Sequence, residues 1–131
     1  MQFNKIVPEF YVSDIIKSLD FYKWLGFVVK YDRPERKFAF LDLDGGQIML
    51  CERNGTWETG ELIYPFGRGI NFEVGIDDID AMYKKITKNK YPLYQDMTTA
   101  EYRQNDKIIK QKEFLIQDPD GYLWRFCSSN N

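Results

Sequence analysis

Histidine is absent from the 131 residues of this sequence, and cysteine occurs only twice. Without imidazole, the chain has no histidine-activated nucleophile, no histidine general base and no metal site that depends on histidine ligands. An excess of either charge is also missing, since 18 Lys and Arg residues stand against 20 Asp and Glu residues, for a formal net charge of −2. Such a chain has little general attraction for phosphate backbones or anionic lipids. We therefore expect neither a nucleic acid nor a membrane as partner.

Long apolar runs are missing as well. No segment reaches the roughly 18 apolar residues of a membrane span, and the first ten residues, MQFNKIVPEF, lack the basic start and apolar core of a signal peptide. We expect a cytoplasmic protein, in which Cys51 and Cys127 are more commonly reduced core thiols than a disulfide. Aromatic residues make up 17% of the chain, more than a small core requires. Surplus aromatic rings are typical of proteins that bind small molecules.

The first half of the chain, residues 5–53, predicts the element order β-α-β-β-β. The run KIVPEFYV has a strand pattern, and Asp14 stands where an N-cap would precede an apolar helical face that ends at Gly26. Three further runs, FVVKYD, RKFAFLDL and QIMLCE, predict strands separated by Pro34 and by a turn at residues 44–46.

The second half, residues 69–128, predicts the same order. GINFEVGI is a strand pattern, Asp77 and Asp78 stand where they would cap a helix, and YPLYQDM, KIIKQKEFLIQ and YLWRFCS predict strands. Between the halves, residues 54–68 hold three glycines and a proline without a sustained period, and we interpret them as a connector. The chain is thus predicted as one domain made of two modules.

A search for an internal repeat supports this division. When the sequence is shifted against itself so that Glu9 falls on Glu73, the segment that begins at Val12 falls on the one that begins at Ile76. A larger shift is needed to place Phe38 on Phe114 and Cys51 on Cys127. The later part of the repeat thus needs a larger offset than the earlier part. This difference indicates an insertion in the second copy, most simply within the polar residues 96–106.

Two segments, VPEFYVSDIIKSLDFYKWLGF and EFLIQDPDGYLWRF, resemble the opening and closing signatures of the vicinal oxygen chelate superfamily. That superfamily includes glyoxalase I, extradiol dioxygenases, fosfomycin-resistance enzymes and bleomycin-resistance proteins. The resemblance extends from about Ile6 to Phe126. It implies an α+β fold of two tandem βαβββ modules that form cupped mixed sheets, usually with a homodimer completing the ligand clefts. One fold hosts several chemistries, so the resemblance alone does not select the function.

In the catalytic members of this superfamily, each module supplies one metal ligand from its first strand and one from its last. The resemblance places these four positions at Val7, Met49, Asn71 and Arg125. Valine has no donor atom, methionine suits soft metals, arginine is a permanent cation and a lone asparagine binds weakly. We therefore expect no metal, no cofactor and no catalytic residue. A register slip of one or two positions would still recover carboxylates and amides that hold Mg²⁺ or Mn²⁺, so a metal-dependent glyoxalase-like or dioxygenase-like enzyme remains the alternative.

The same register places Glu9 and Glu73 two positions beyond Val7 and Asn71, on the faces that point into the cups. One interpretation is an acidic cleft that favours a cationic ligand. The other is that each carboxylate pairs with a cation such as Arg125 and merely neutralises it.

Aromatic residues are the second indication of a ligand site. Trp57, Tyr64 and Phe66 lie on the connector, whereas Tyr11 and Phe38 lie on strands that should line a cup. Core packing explains Phe38 better than ligand contact does. Trp57 stands in an otherwise polar stretch, which favours a contact with a ligand or a second subunit. The candidate ligand-binding residues are Glu9, Tyr11, Phe38, Met49, Trp57, Tyr64, Phe66, Asn71, Glu73 and Arg125.

Within the superfamily, the bleomycin-resistance branch is the nearest resemblance. The segment EFLIQDPDG is similar to its EF-x-x-x-DP-x-G close, although residues 110–112 are Lys-Gln-Lys where some of its members carry Trp-Gly. The resemblance implies a homodimer that sequesters a cationic or aromatic small molecule, with a bleomycin-type antibiotic as the sharpest candidate, without changing it chemically. A third possibility is an aromatic patch that serves only dimerisation.

Overall fold

A computed structural model describes residues 2–128. The chain divides into two compact units between Tyr64 and Pro65. The first contains β1 (Glu9–Val12), α1 (Ile15–Leu25), β2 (Val28–Arg33), a short 3₁₀ helix (Pro34–Arg36), β3 (Phe38–Leu43) and β4 (Gly46–Glu52). The second contains β5 (Asn71–Ile76), α2 (Ile79–Lys88), β6 (Gln95–Gln104), β7 (Lys107–Gln117) and β8 (Leu123–Ser128). Neither helix is long and apolar enough to cross a membrane, as judged over residues 2–128.

Each unit forms one four-stranded mixed sheet. The strand orders are β1-β4-β3-β2 and β5-β8-β7-β6, with the first strand of each unit parallel to its last. This arrangement confirms the predicted α+β fold of two tandem βαβββ modules. It differs from the prediction at YPLYQDM, where the strand begins only at Gln95.

The helix boundaries follow from the predicted caps. The Asp14 side chain accepts hydrogen bonds from the backbone N–H groups of Ile16 and Lys17, at 3.0 and 3.2 Å. Gly26 ends α1 with a φ of 114°, a left-handed conformation that glycine adopts without steric cost. In the second module, the Asp78 side chain accepts from the backbone N–H of Ala81.

One face of each sheet packs against its own helix. In the first module, Phe10 meets Tyr22 of α1 edge to face, with ring centroids 6.3 Å apart. In the second, Phe114 meets Tyr83 of α2 at 5.4 Å and stacks with Phe126 at 5.3 Å. Side chains alternate along a strand, so the residues on either side of these lie on the opposite face, which we call the concave face because the predicted fold cups each sheet on that side.

The parallel pairing repeats in the same register. Glu9 lies opposite Met49 between β1 and β4, and Glu73 lies opposite Arg125 between β5 and β8. The two shifts found in the sequence repeat carry Glu9 onto Glu73 and Met49 onto Arg125. The duplication therefore extends to the register of the strands that form each cup.

The antiparallel pairing does not repeat. Phe38 lies opposite Cys51, but Phe114 lies opposite Phe126. The connection from β7 to β8, residues 118–122, is longer than the two-residue turn from β3 to β4. As a result, the pairing of β7 with β8 is displaced by one residue from the pairing of β3 with β4. Since a slip of one position reverses the face, Phe38 points to the concave side and Phe114 to the helix side. The alignment of Phe38 with Phe114 by the sequence shift is therefore wrong, because the two residues do not occupy equivalent positions in the two sheets.

The insertion in the second module lengthens a hairpin. Residues 96–106 belong mostly to β6, which pairs with β7 across a turn at Asn105 and Asp106. β8 covers β7 only from Glu113 onward, so residues 99–104 and 107–112 form a two-stranded extension. We call this segment the ribbon.

The start of the second module is fixed by a close packing contact. Phe66 is buried, its backbone N–H donates to the Asp120 carbonyl at 2.8 Å, and its ring meets Tyr122. Gly67 has a φ of 70°, and a Cβ there would lie 2.5 Å from the Tyr122 ring.

We expect Gly67→Ala to lower the free energy of unfolding by about 2 kcal/mol. An alanine would be strained at this positive φ, and its Cβ would clash with the Tyr122 ring. Gly60→Ala is the matched control, since a Cβ at Gly60 meets nothing within 4 Å and its φ is not positive. Urea denaturation followed by circular dichroism measures both. Equal stability of the two variants would contradict the packing described here.

Candidate ligand-binding faces

The concave face of the first sheet is mainly aromatic. Tyr11, Phe38, Phe40 and Cys51 form a buried cluster against which Met49 and other partly buried side chains pack. Tyr31 and Phe40 stack with centroids 5.1 Å apart and ring planes 13° from parallel. We call this surface the aromatic face, and define it by Tyr11, Tyr31, Phe38, Phe40 and Met49.

A cation already lies over this surface. The guanidinium carbon of Arg33 is 4.7 Å from the Phe38 ring centroid and 5.5 Å from that of Tyr31. Phe3 meets the Phe40 ring edge to face at 5.3 Å while its own side chain stays exposed. Phe38 and Phe40 are otherwise buried, so a planar cation would have to take the place of Arg33 to reach the same cation–π geometry.

Glu9 adds a carboxylate on the same side of β1 as Tyr11. Partial desolvation raises the pKa of the Glu9 carboxyl, and the positive charge of Arg33 opposes that rise. Within residues 2–128, Glu9 takes part in no ion pair at 4.0 Å or less. Arg33 therefore acts on Glu9 through its charge, without a direct ion pair.

Tyr11 also fixes the start of the connector. Its hydroxyl accepts hydrogen bonds from the backbone N–H groups of Asn54 and Thr56, at 2.7 and 2.8 Å. Trp57 follows directly and is 58% exposed, and Tyr64 is 60% exposed. Two of the three aromatic candidates on the connector are therefore on the surface, whereas Phe66 is packed within the second module.

The concave face of the second sheet is polar. Arg125 lies at its centre, with Nη2 3.5 Å from Glu73 Oε2 and Nη1 3.7 Å from Glu113 Oε1. The Arg125 Nε–H donates to Asn71 Oδ1 at 3.3 Å. We call this surface the polar face, and define it by Asn71, Glu73, Tyr102, Glu113 and Arg125. For Glu73, the structure corresponds to the interpretation in which the carboxylate neutralises Arg125.

Two members of the polar face are absent from the sequence-based candidates. The Tyr102 hydroxyl donates to Glu113 Oε1 at 2.6 Å and accepts from Arg125 Nη1 at 3.3 Å. The hydrogen bond to Glu113 raises the pKa of Tyr102. Glu113 is buried, with 6% of its surface exposed. The sequence does contain one signal for this contact. Glu113 begins a segment, Glu113 to Ile116, whose other residues are apolar, and a carboxylate buried in such a segment needs a partner.

The two cysteines are free, buried thiols. Desolvation raises the pKa of Cys51, with a contribution from the charge of Glu9. Desolvation also raises the pKa of Cys127, to about 12, and Glu73 contributes through its charge and a hydrogen bond. A thiol of this kind is a poor nucleophile because the thiolate is the reactive form.

Comparison with known proteins identifies the family. The sequence profile described as Glyoxalase/Bleomycin resistance protein/Dioxygenase superfamily matches residues 2–126. The chain belongs to this superfamily. A superfamily member from Vibrio splendidus 12B01 is 37% identical over 93% of this chain and 96% of its own, with a TM-score of 0.45. No functionally curated protein matches the sequence at a significant level.

Two solved structures resemble the fold over nearly the whole chain. TioX from Micromonospora sp. ML1 is 21% identical, covers 97% of this chain and 99% of its own, and has a TM-score of 0.70. A bleomycin-binding protein complexed with bleomycin is 17% identical, covers 98% and 100%, and has a TM-score of 0.64. At these identities, the likeness shows a shared fold.

In catalytic members of the superfamily, four positions hold a metal, and the residues at those positions in this chain are not suited to bind one. Val7 has no donor atom, and Asn71 Oδ1 already accepts from Arg125. Arg125 itself places a permanent positive charge among the oxygen atoms that a cation would need. Within residues 2–128, no three acidic or cysteine side chains gather in a group suited to a metal ion.

We expect neither cysteine to react with an Ellman-type reagent in the folded protein at pH 8. For a pKa of about 12, the thiolate fraction at pH 8 is about 10⁻⁴, against about a quarter for a free thiol. Single Cys51→Ser and Cys127→Ser variants assign each thiol, and denaturant should release one equivalent from each variant. Rapid labelling of Cys127 under native conditions would contradict this environment.

Arg125→Met should lower the free energy of unfolding by about 2 kcal/mol at pH 8, because it leaves the buried Glu113 carboxylate without its compensating charge. Lys112→Met is the control, since it removes an exposed ion pair with Asp80 and should change stability by less than about 0.5 kcal/mol. A loss no larger than that of the control would show that the Arg125 network contributes little.

Proposed function

We propose that this protein sequesters a cationic or aromatic small molecule, in the manner of bleomycin-resistance proteins, in clefts at a homodimer interface and without metal chemistry. The observation that carries the proposal is the aromatic face with the Glu9 carboxylate beside it. Flat π surface, a partly desolvated negative charge and flexible Met49 together suit a planar ligand that carries positive charge.

The energetics of this surface are favourable for such a ligand. Stacking of aromatic rings contributes about 0.5–1.5 kcal/mol beyond burial, and a cation over a ring contributes about 0.5–2 kcal/mol. The stacked Tyr31 and Phe40 rings are already in place, so a ligand would not have to order them. A ligand cation would compete with Arg33, whose guanidinium now lies over the rings.

The polar face supports the same charge preference. Two carboxylates, Glu73 and Glu113, surround the single guanidinium of Arg125, which leaves one negative charge uncompensated. This face would accept hydrogen-bond donors of a ligand through Glu73 and Asn71, while Arg125 holds both in place. Trp57 and Tyr64, exposed on the connector, would add contacts to the ligand or to the second subunit.

The direct test is a tryptophan-fluorescence titration of metal-free protein with metal-free bleomycin. The chain has three tryptophans, and Trp57 is strongly exposed. We expect saturable quenching with a sub-micromolar Kd, near one ligand per chain, unchanged by added EDTA. No response up to roughly a millimolar, where binding is worth only ~4 kcal/mol, would reject bleomycin as the ligand. One equivalent of metal per chain retained by the protein after dialysis, measured without ligand, would favour the metal-dependent alternative.

Glu9→Gln should weaken binding of the cationic ligand at least about tenfold, or ~1.4 kcal/mol, because it removes the charge and keeps the shape. Glu35→Gln is the matched control, since Glu35 is an exposed acid of the 3₁₀ helix that lies outside the aromatic face. Titration of both variants in parallel with the wild type gives the comparison. An unchanged Kd for Glu9→Gln would remove the acidic component of the proposal.

A further inference from the structure

The outer edge of β6 is a surface that the ligand proposal does not use. β6 is the last strand of its sheet, and among the described strands only β7 pairs with it. Its residues are mostly exposed on both faces. An open strand edge presents unpaired backbone N–H and C=O groups and is a template for pairing with another strand.

The hairpin register determines which backbone groups point outward. Gln104 and Lys107 close the two-residue turn, and such a closing pair exchanges backbone hydrogen bonds. Hydrogen-bonded and non-hydrogen-bonded pairs alternate along antiparallel strands. The backbone groups of Gln104 and Tyr102 therefore face β7, while those of Glu101 and Arg103 face the open edge.

We propose that this edge pairs antiparallel with the same edge of a second copy of the chain, in a register centred on Tyr102. Glu101 of each copy then lies opposite Arg103 of the other, which gives two pairs of opposite charge and backbone hydrogen bonds at both pairs. The inference rests on the homodimer in the proposed function and names the surface that forms it.

Charge selects this register over its neighbours. Moving the centre by one position places Glu101 opposite Glu101 or Arg103 opposite Arg103, and like charges directly opposite each other are destabilising. Both side chains are exposed, and within residues 2–128 neither takes part in an ion pair at 4.0 Å or less. Within the chain, Glu101 lies opposite Lys110 across the hairpin and the Arg103 guanidinium donates to the Asn105 carbonyl at 3.2 Å, so pairing with a second copy would add to these contacts.

The pairing connects the dimer to the polar face. Tyr102, at the centre of the proposed contact, reaches Arg125 and Glu113 with its hydroxyl. An isolated two-stranded segment is only marginally stable in water, and pairing would make the ribbon part of a continuous eight-stranded sheet. Dimerisation would thus fix the strand that carries one member of the polar face.

A charge-swap experiment tests the register. In sedimentation velocity over a concentration series, Glu101→Arg and Arg103→Glu should each raise the dimer Kd at least about tenfold. The double variant, Glu101→Arg with Arg103→Glu, should restore the wild-type Kd because it re-forms both pairs with reversed sign. Lys107→Glu is the control for Arg103→Glu: it makes the same charge change on the ribbon, away from the proposed pairs, and should leave the Kd unchanged.

Disulfide trapping is a second, independent readout. At this register the Tyr102 Cα atoms of the two copies are direct neighbours, whereas the two Gln104 positions lie about 14 Å apart along the strands. Tyr102→Cys should therefore form an intermolecular disulfide under mild oxidation, and Gln104→Cys should not, since a disulfide needs Cα atoms within about 7 Å.

A wild-type dimer that all charge variants preserve, without Tyr102→Cys crosslinking, would overturn the inference. Monomeric wild-type protein would overturn it together with the homodimer. In both cases the ligand titration, run on the same samples, decides the sequestration proposal separately.

Discussion

The parallel pairing of the first strand with the last strand is the constraint on which each module depends. It sets Glu9 opposite Met49 and Glu73 opposite Arg125, and period-two alternation then decides which side chains line the concave face. Because both modules keep this register, equivalent positions of the two sheets lie on equivalent faces. The helix on the other side of each sheet buries the remaining apolar residues and leaves the concave face free to vary.

The concave faces of the two modules differ in composition. The first fills its concave face with rings around Phe38 and Phe40, whereas the second fills it with the charged network around Arg125. A guanidinium held between two carboxylates is not a metal site, and stacked rings are not one either. The same backbone that supports metal chemistry in catalytic relatives therefore supports a surface suited to stacking and to positive charge.

The fold could be predicted from the sequence because its signals are local: helix caps such as the one at Gly26, alternating strands and a repeated element order. The polar face could be predicted only in part. The contact between Tyr102 and Arg125 depends on the β6–β7 register, which is set by the turn between those strands, far from Arg125 in sequence, and which no periodicity encodes. The same limit explains why Phe38 and Phe114, matched by sequence shift, lie on opposite faces: the pairing of β7 with β8 is displaced by one residue from that of β3 with β4, which reverses the faces of the β7 side chains relative to those of β3.

Methionine-methyl NMR can decide whether a ligand binds on the aromatic face. Met49 lies on that face, while Met82 of α2 and Met97 of β6 lie in the second module and serve as internal references. In protein labelled with [methyl-¹³C]methionine and titrated with metal-free bleomycin, we expect a saturable shift of the Met49 methyl resonance that is larger than those of Met82 and Met97. A Met49 resonance that stays unmoved while the ligand demonstrably binds would contradict it.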